Sequence, residues 1–163
     1  MAKEDDTYTV ELRESSYCQL RAYRMHIGTF PRPTAVYPAG GQEGEEVDVK
    51  FIDKAAGDFT QKFKAAKPVS FQATFGQQSQ PSFRDIAAFP QVDGVIAPSG
   101  NKVRVSPFPN VLEEEPNNSV GEARLSDTPL PVAFNGIIGE PGDQDWFRFT
   151  AKKGQRYDVR VYA

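Results

Sequence analysis

The sequence has little of what most catalytic and metal-cluster sites require. It contains one cysteine and one histidine among its 163 residues. Cys18 alone cannot form an internal disulfide bond or a cysteine metal cluster. A Ser-His-Asp triad would have to use His26, and the chain has no Gly-x-Ser-x-Gly motif to present a nucleophile. A Cys18–His26 pair would lack an activating context. We therefore predict a chain without catalytic activity.

Strongly basic segments and long apolar runs are missing as well. The net charge is −3, and the densest lysine group, Lys62, Lys64 and Lys67, is too sparse to follow a phosphate backbone. No apolar run approaches the roughly 18 residues of a membrane-spanning helix. The acidic N-terminus has no apolar signal core, which fits a cytoplasmic protein and a segment cut from a longer protein equally well. We expect neither a nucleic-acid partner nor a membrane span.

Helical periodicity is almost absent, and a period of two residues replaces it. Apolar and polar residues alternate over five stretches, namely Tyr8–Leu12, Tyr23–Ile27, Val47–Phe51, Phe147–Thr150 and Tyr157–Val161. Such alternation places one face of a strand on a core and the other face in water. The pattern predicts an all-β protein built from antiparallel sheets.

Turn signals separate the predicted strands. Gly40-Gly41 with Gly44, and Lys152–Gln155, are typical of hairpin turns. Residues 76–82 are polar and predict a loop, and Ser82–Ala88 is expected to hold one helical turn.

Two segments punctuated by proline predict joints between parts of the chain. They are Thr29–Pro33 and Ser106–Asn110. Proline cannot donate to a ladder, so such segments lie between sheets rather than inside them. The joints divide the chain into residues 1–29, 30–106 and 107–163. Only the middle part is long enough for a complete small sandwich.

The last part carries a more specific pattern. Glu113–Asn118 opens it, Leu130–Ile138 follows, and Glu140–Phe149 contains Gly-Asp-Gln-Asp-Trp-Phe-Arg-Phe. This order resembles the first half of the bacterial pre-peptidase C-terminal domain, a β-sandwich appended to secreted proteases and repeated in large surface proteins of planctomycete type. Residues 7–28 look like the closing strands of the same kind of domain.

The resemblance implies a domain organisation and a location. Residues 30–106 resemble an immunoglobulin-like spacer, so the expected fold is an Ig-like antiparallel sandwich flanked by partial β-sandwich strands. The implied location is extracellular, at the cell surface or periplasmic. The strands of 7–28 and 134–163 would expose unpaired edges, so we expect them to pair with each other, within one chain or as a strand-swapped homodimer.

The resemblance also implies a calcium site, because collagen-binding members of the family hold calcium with acidic residues of the opening segment and of a later Asp-rich loop. Asn118 departs from this pattern, since an aspartate is common there. The matching positions are Glu113, Glu115, Asn117, Asn118, Asp143 and Asp145. The alternative is a solvated acidic linker with an Asx turn in the loop.

Trp146 is the remaining candidate for a binding residue. Alternation puts it on the face opposite Phe147 and Phe149, where it would pack against a neighbouring domain or belong to a binding patch. The sequence thus predicts a non-catalytic extracytoplasmic spacer or adhesion module, stiffened by calcium, that contacts neighbouring domains. The alternative is an accessory module of a secreted peptidase or other hydrolase that binds extracellular protein or polysaccharide.

Overall fold

The computed structural model describes residues 4–13, 22–66 and 83–162. Every regular element within these ranges is a β-strand, which confirms the predicted all-β class for the described part of the chain. The strands are β1 (Ala35–Tyr37), β2 (Gly40–Gln42), β3 (Glu46–Ile52), β4 (Phe59–Lys64), β5 (Arg84–Ala88), β6 (Gln91–Val92), β7 (Val95–Ile96), β8 (Asn101–Ser106), β9 (Asn110–Leu112) and β10 (Ala133–Asn135).

The strands form four small sheets, and none of those built by the described residues closes on itself. One three-stranded sheet has the order β1-β3-β4 and is antiparallel. A second has the order β2-β8-β5, in which β2 is parallel and β5 antiparallel to β8. β6 and β7 form a short hairpin, and β9 and β10 form a parallel pair.

The core lies between the two three-stranded sheets. Val49 and Phe51 on β3 pack with Ala88 on β5 and Val103 on β8 in one buried cluster. Phe51 also stacks on Phe59, its cross-strand partner on β4, with ring centroids 5.1 Å apart. The alternation predicted for Val47–Phe51 is confirmed, since the intervening charged residues of β3 are exposed. The two sheets therefore face each other across an apolar layer.

The chain changes sheets between β1 and β2, and this overturns the predicted hairpin at Gly40-Gly41. Both glycines lie in β2 and pair with β8. A Cβ at Gly40 would lie 2.5 Å from the carbonyl oxygen of Arg104, so the parallel ladder leaves no room for a side chain there. The turn follows at Gly44, whose φ is +86°.

The predicted helical turn at Ser82–Ala88 is also wrong. Arg84–Ala88 forms β5, because its side chains alternate between partly buried and exposed and its backbone pairs with β8. Ser82 and the predicted loop at 76–82 lie outside the described residues. The hairpin turn of this region is instead Asp93-Gly94, where both φ angles are positive, as a two-residue type I′ turn requires.

The flanking segments do not form the ladders that alternation predicted. Four of the alternating stretches form no strand, namely Tyr8–Leu12, Tyr23–Ile27, Phe147–Thr150 and Tyr157–Val161. The Lys152–Gln155 turn is present, with the Gln155 amide donating to the Lys152 carbonyl oxygen at 3.2 Å, but no ladder flanks it. Alternation indicates only which face a strand would bury. Among the described residues, the backbone pairing of these segments is limited to one parallel bridge between Arg148 and Leu125. The division of the chain at 29/30 and 106/107 stays a prediction.

Candidate cation site after the β9–β10 ladder

A set of side-chain amides attaches β9 and β10 to the second sheet. The Asn110 side chain donates to the carbonyl oxygen of Gly40 at 2.8 Å, and the Asn135 side chain donates to Asn110 Oδ1 at 3.2 Å. Gln42 on β2 donates to the carbonyl oxygen of Pro107 at 3.2 Å. The hydrogen bonds at Gly40 and Gln42 therefore hold the predicted joint at Ser106–Asn110 against β2.

The parallel pairing of β9 and β10 brings the residues after each strand together. Glu113 follows β9, and its amide donates to the carbonyl oxygen of Asn135 at 2.9 Å. In return, the amide of Ile137 after β10 donates to both carboxylate oxygens of Glu113, at 2.9 and 3.0 Å. These contacts fix the Glu113 carboxylate at the end of the ladder.

Three carboxylates converge at this point. One oxygen from each of Glu113, Glu115 and Asp145 lies within 4.8 Å of the other two. The amide of Trp146 donates to the carbonyl oxygen of Asn117 at 2.9 Å, which brings the neighbouring Asp145 in from its distant loop. Among the described residues, none of the three carboxylates is paired with a lysine or arginine.

Gly136 makes the close approach of these carboxylates possible. A Cβ at this position would lie 2.6 Å from Glu113 Oε2 and still closer to Asp145 Oδ2. Any larger residue would therefore displace one of the two side chains. Asp145 Oδ1 is buried and accepts no hydrogen bond from the described residues.

The electrostatics of the cluster are those of uncompensated negative charge. Burial raises the pKa of Glu113 above its usual value, the charges of Asp145 and Glu115 raise it further, and the Ile137 amide offsets part of the effect. Burial also raises the pKa of Asp145, as does the nearby charge of Asp143. A cation would relieve both effects, because it favours the charged carboxylates.

Tyr37 on β1 borders the same cluster. Its hydroxyl donates to the carbonyl oxygen of Asn135 at 3.5 Å. Burial raises the pKa of Tyr37, and the charge of Glu113 raises it further. The first three-stranded sheet therefore also reaches the site.

Asn117 contacts the cluster through Glu115. Its side chain is only 3% exposed, and its amide lies 2.8 and 3.2 Å from the two carboxylate oxygens of Glu115. With the amide nitrogen on that side, Asn117 donates to Glu115. With the amide turned over, its oxygen joins the carboxylates, as a ligand of a shared cation would. The donor set consists of oxygen atoms alone and fits a hard cation such as calcium.

Asp143 and Asn118, the other two residues of the expected calcium set, accept hydrogen bonds from backbone amides. Asp143 Oδ2 accepts a hydrogen bond from the Gly139 amide at 2.6 Å, and Asn118 Oδ1 accepts one from the Gln144 amide at 3.3 Å. Both side chains shape the loop that carries Asp145. Sequence reasoning also missed Gly136, where the absence of a side chain permits the close approach of the two carboxylates.

The remaining candidate residues are Trp146, His26 and Cys18. Trp146 is 43% exposed, and its indole nitrogen donates to Gln144 Oε1 at 3.4 Å. Its neighbour Phe147 packs on Phe134 with ring centroids 4.8 Å apart. His26 is exposed in an unpaired segment, and Cys18 lies outside the described residues.

No protein-family model, curated protein or solved structure matches this chain. Within the described ranges, no helix has the length and apolar character needed to cross a membrane.

Proposed function

We propose that this chain is a non-catalytic structural module that works outside the cytoplasm, related to the pre-peptidase C-terminal domains it resembles. In it, an Ig-like sandwich acts as a spacer, and calcium ties the sandwich to the segment that follows. The observation that carries the proposal is the convergence of Glu113, Glu115 and Asp145, beside Asn117, where the β9–β10 ladder ends.

The packing of residues 35–66 and 83–106 supports the spacer. Two three-stranded sheets share one apolar core, and the chain crosses from one sheet to the other between β1 and β2. A sandwich with most of its pairs antiparallel is the architecture of Ig-like modules. Such a unit holds the segments before and after it at a fixed separation, since its ends emerge from a rigid core.

The chemistry of the cluster supports calcium. Calcium takes six to eight oxygen ligands from carboxylates, amide oxygens and water, whereas zinc prefers nitrogen and sulfur. Glu113 and Glu115 follow β9 directly, while Asp145 comes from a loop thirty residues further on. One ion bound by all three would therefore fasten that loop to the joint and restrict its motion.

Calorimetric titration with calcium tests the proposal. We expect one site with a dissociation constant of about 10⁻⁴ to 10⁻³ M, the range of extracellular modules. Asp145→Asn removes one charge with little change of shape and should weaken binding at least about tenfold. The matched control is Glu114→Gln, because Glu114 lies between two ligands yet pairs with Arg124.

Two results would count against calcium in this role. One is the lack of any binding heat at millimolar calcium. The other is equal affinity in Asp145→Asn, Glu114→Gln and the wild type. A hydrolase turnover that His26→Ala abolishes would overturn the non-catalytic part of the proposal.

A second candidate function rests on the exposure of Trp146. An exposed indole is a common anchor for carbohydrate or protein partners, and this one lies beside Asp145. Phe108 is less available, since its ring packs edge-on against Phe83 at 5.3 Å. Binding on a glycan or extracellular-matrix array that Trp146→Ala removes would favour this accessory-module function over the spacer.

A further inference from the structure

Two segments outside the sheets leave their apolar side chains in water. Val10 and Leu12 in one segment and Val159 and Val161 in the other are between 57% and 86% exposed. In both segments the intervening residues are polar, so each has one apolar face and one polar face. A lone strand of this kind is unstable, because its backbone groups need a neighbouring strand and its apolar face needs other apolar side chains.

We propose that residues 9–13 of one copy pair with residues 158–162 of a second copy as an antiparallel ladder. In the register we propose, Val10 lies opposite Val161 and Leu12 lies opposite Val159. These four side chains share one face of the ladder. On the other face, residues of opposite charge lie across from each other.

The charged face specifies this register. It places Glu11 opposite Arg160 and Arg13 opposite Asp158, which makes two cross-strand pairs of opposite charge. A shift by one residue would put polar residues opposite apolar ones. A shift by two residues in one direction sets Glu11 against Asp158, and a shift in the other direction sets Arg13 against Arg160. Among these antiparallel registers, only the proposed one avoids like charges and keeps the apolar face continuous.

The neighbouring segment 22–28 fits the same strand less well. Its polar face carries Arg24 and His26 and has no carboxylate. Its cationic side chains can pair with Asp158, but it has no carboxylate to pair with Arg160. The charges therefore favour residues 9–13 as the partner.

The structure of the single chain points to a second copy as the source of that partner. Within one chain the two segments do not pair, although both are described. Arg13 instead bonds to Glu11 two residues away, at 2.6 Å, with both side chains largely exposed. Among the described residues, neither Asp158 nor Arg160 has an ion-pair partner.

Each copy carries both strands, so two copies would form two equivalent ladders and a closed dimer. The second strand already has an anchor, because the Arg104 guanidinium on β8 lies 3.6 Å from the centroid of the Tyr162 ring. The dimer would thus connect to the spacer through β8. This inference does not depend on the proposed calcium site.

Charge reversal tests the pairing, with the dimer dissociation constant measured by sedimentation equilibrium. Glu11→Lys and Arg160→Glu should each raise that constant at least about tenfold, since each creates a like-charge pair in both ladders. An equimolar mixture of the two variants should recover the wild-type affinity as a heterodimer. In that mixture Lys at position 11 faces Glu at position 160, and the second ladder keeps the native pair.

The controls are Glu45→Lys and Lys54→Glu, which make the same charge changes at exposed positions of the spacer. Both should dimerise as the wild type does. A wild-type chain that stays monomeric at every concentration overturns the proposal. So does a pair of variants that mixing fails to rescue while the double variant Glu11→Lys/Arg160→Glu is a stable monomer, because the ladder would then lie within one chain.

Discussion

Glu113→Gln should have opposite effects on stability with and without calcium. The substitution keeps the shape of the side chain and an oxygen that can accept the hydrogen bond from the Ile137 amide. It removes one of three negative charges that no lysine or arginine among the described residues neutralises. In a chelator the variant should therefore be more stable than the wild type, whereas in calcium it should lose this advantage.

The separation of the carboxylates sets the size of the effect. Their oxygens lie within 4.8 Å of one another. At that distance two unit charges repel by about 0.9 kcal/mol in water and about 3.5 kcal/mol at a dielectric constant of about 20. Glu115 is exposed and the other two are half-buried, so the lower value is appropriate. Removing two such repulsions should stabilise the calcium-free variant by about 1–2 kcal/mol.

Calcium should then stabilise the wild type more than the Glu113→Gln variant. At about 10 mM calcium, a site with a dissociation constant of about 10⁻⁴ to 10⁻³ M stabilises the wild type by about 1.4–2.7 kcal/mol. The variant should gain much less. Urea denaturation in chelator and in calcium measures both differences, with Glu114→Gln as the control. A Glu113→Gln variant that is less stable than the wild type in chelator, and no less responsive to calcium, would refute the reasoning.

Three further predictions concern acid, the core and a buried turn. In chelator, the stability advantage of Glu113→Gln should shrink as the pH falls toward about 4–5. The raised pKa values of Glu113 and Asp145 mean that the folded wild type takes up protons there at higher pH than usual, so the charge repulsion disappears on acidification. Denaturation at several pH values would show this. Phe51→Ala should cost about 3–5 kcal/mol of unfolding free energy, and Phe51→Leu markedly less, because the ring is fully buried against Phe59. Asp53→Asn should lower the free energy of unfolding at neutral pH and make it less dependent on acid. The backbone amides of Ala56, Arg32 and Ala55 donate to the Asp53 carboxylate and lower its pKa. The stability that this carboxylate provides in the wild type is therefore lost as the pH falls through its folded-state pKa.

The sheets at the centre were predictable where alternation and burial agree. Val47–Phe51 alternates and lies in β3, where Val49 and Phe51 are buried against Val103 of β8. Their apolar residues pack across one layer, so the local pattern and the global fold give the same result. The terminal segments alternate just as clearly but form no ladder, because pairing depends on a partner strand that a local pattern does not specify.

The candidate site was predictable only in part. The resemblance named Glu113, Glu115, Asn117 and Asp145, but it also named two residues that accept hydrogen bonds from backbone amides of the loop that carries Asp145. The β9–β10 ladder left no signal, since three residues on each side are too few to show a period. Tyr37 and Gly136 belong to the site through contacts between distant parts of the chain, which composition and spacing do not reveal.

A calcium titration followed by amide resonances in nuclear magnetic resonance spectra tests the central claim most directly. The claim is that one cation binds at the end of the β9–β10 ladder and fastens the Asp145 loop to the joint. Calcium should shift the amide resonances of Gly136, Ile137 and Asn117 and slow the hydrogen exchange of the Trp146 amide, which bonds to Asn117. The amide resonances of residues around Asp53 should not shift. Resonances at the ladder end that stay unchanged at millimolar calcium, or that shift no more than those around Asp53, would contradict the account.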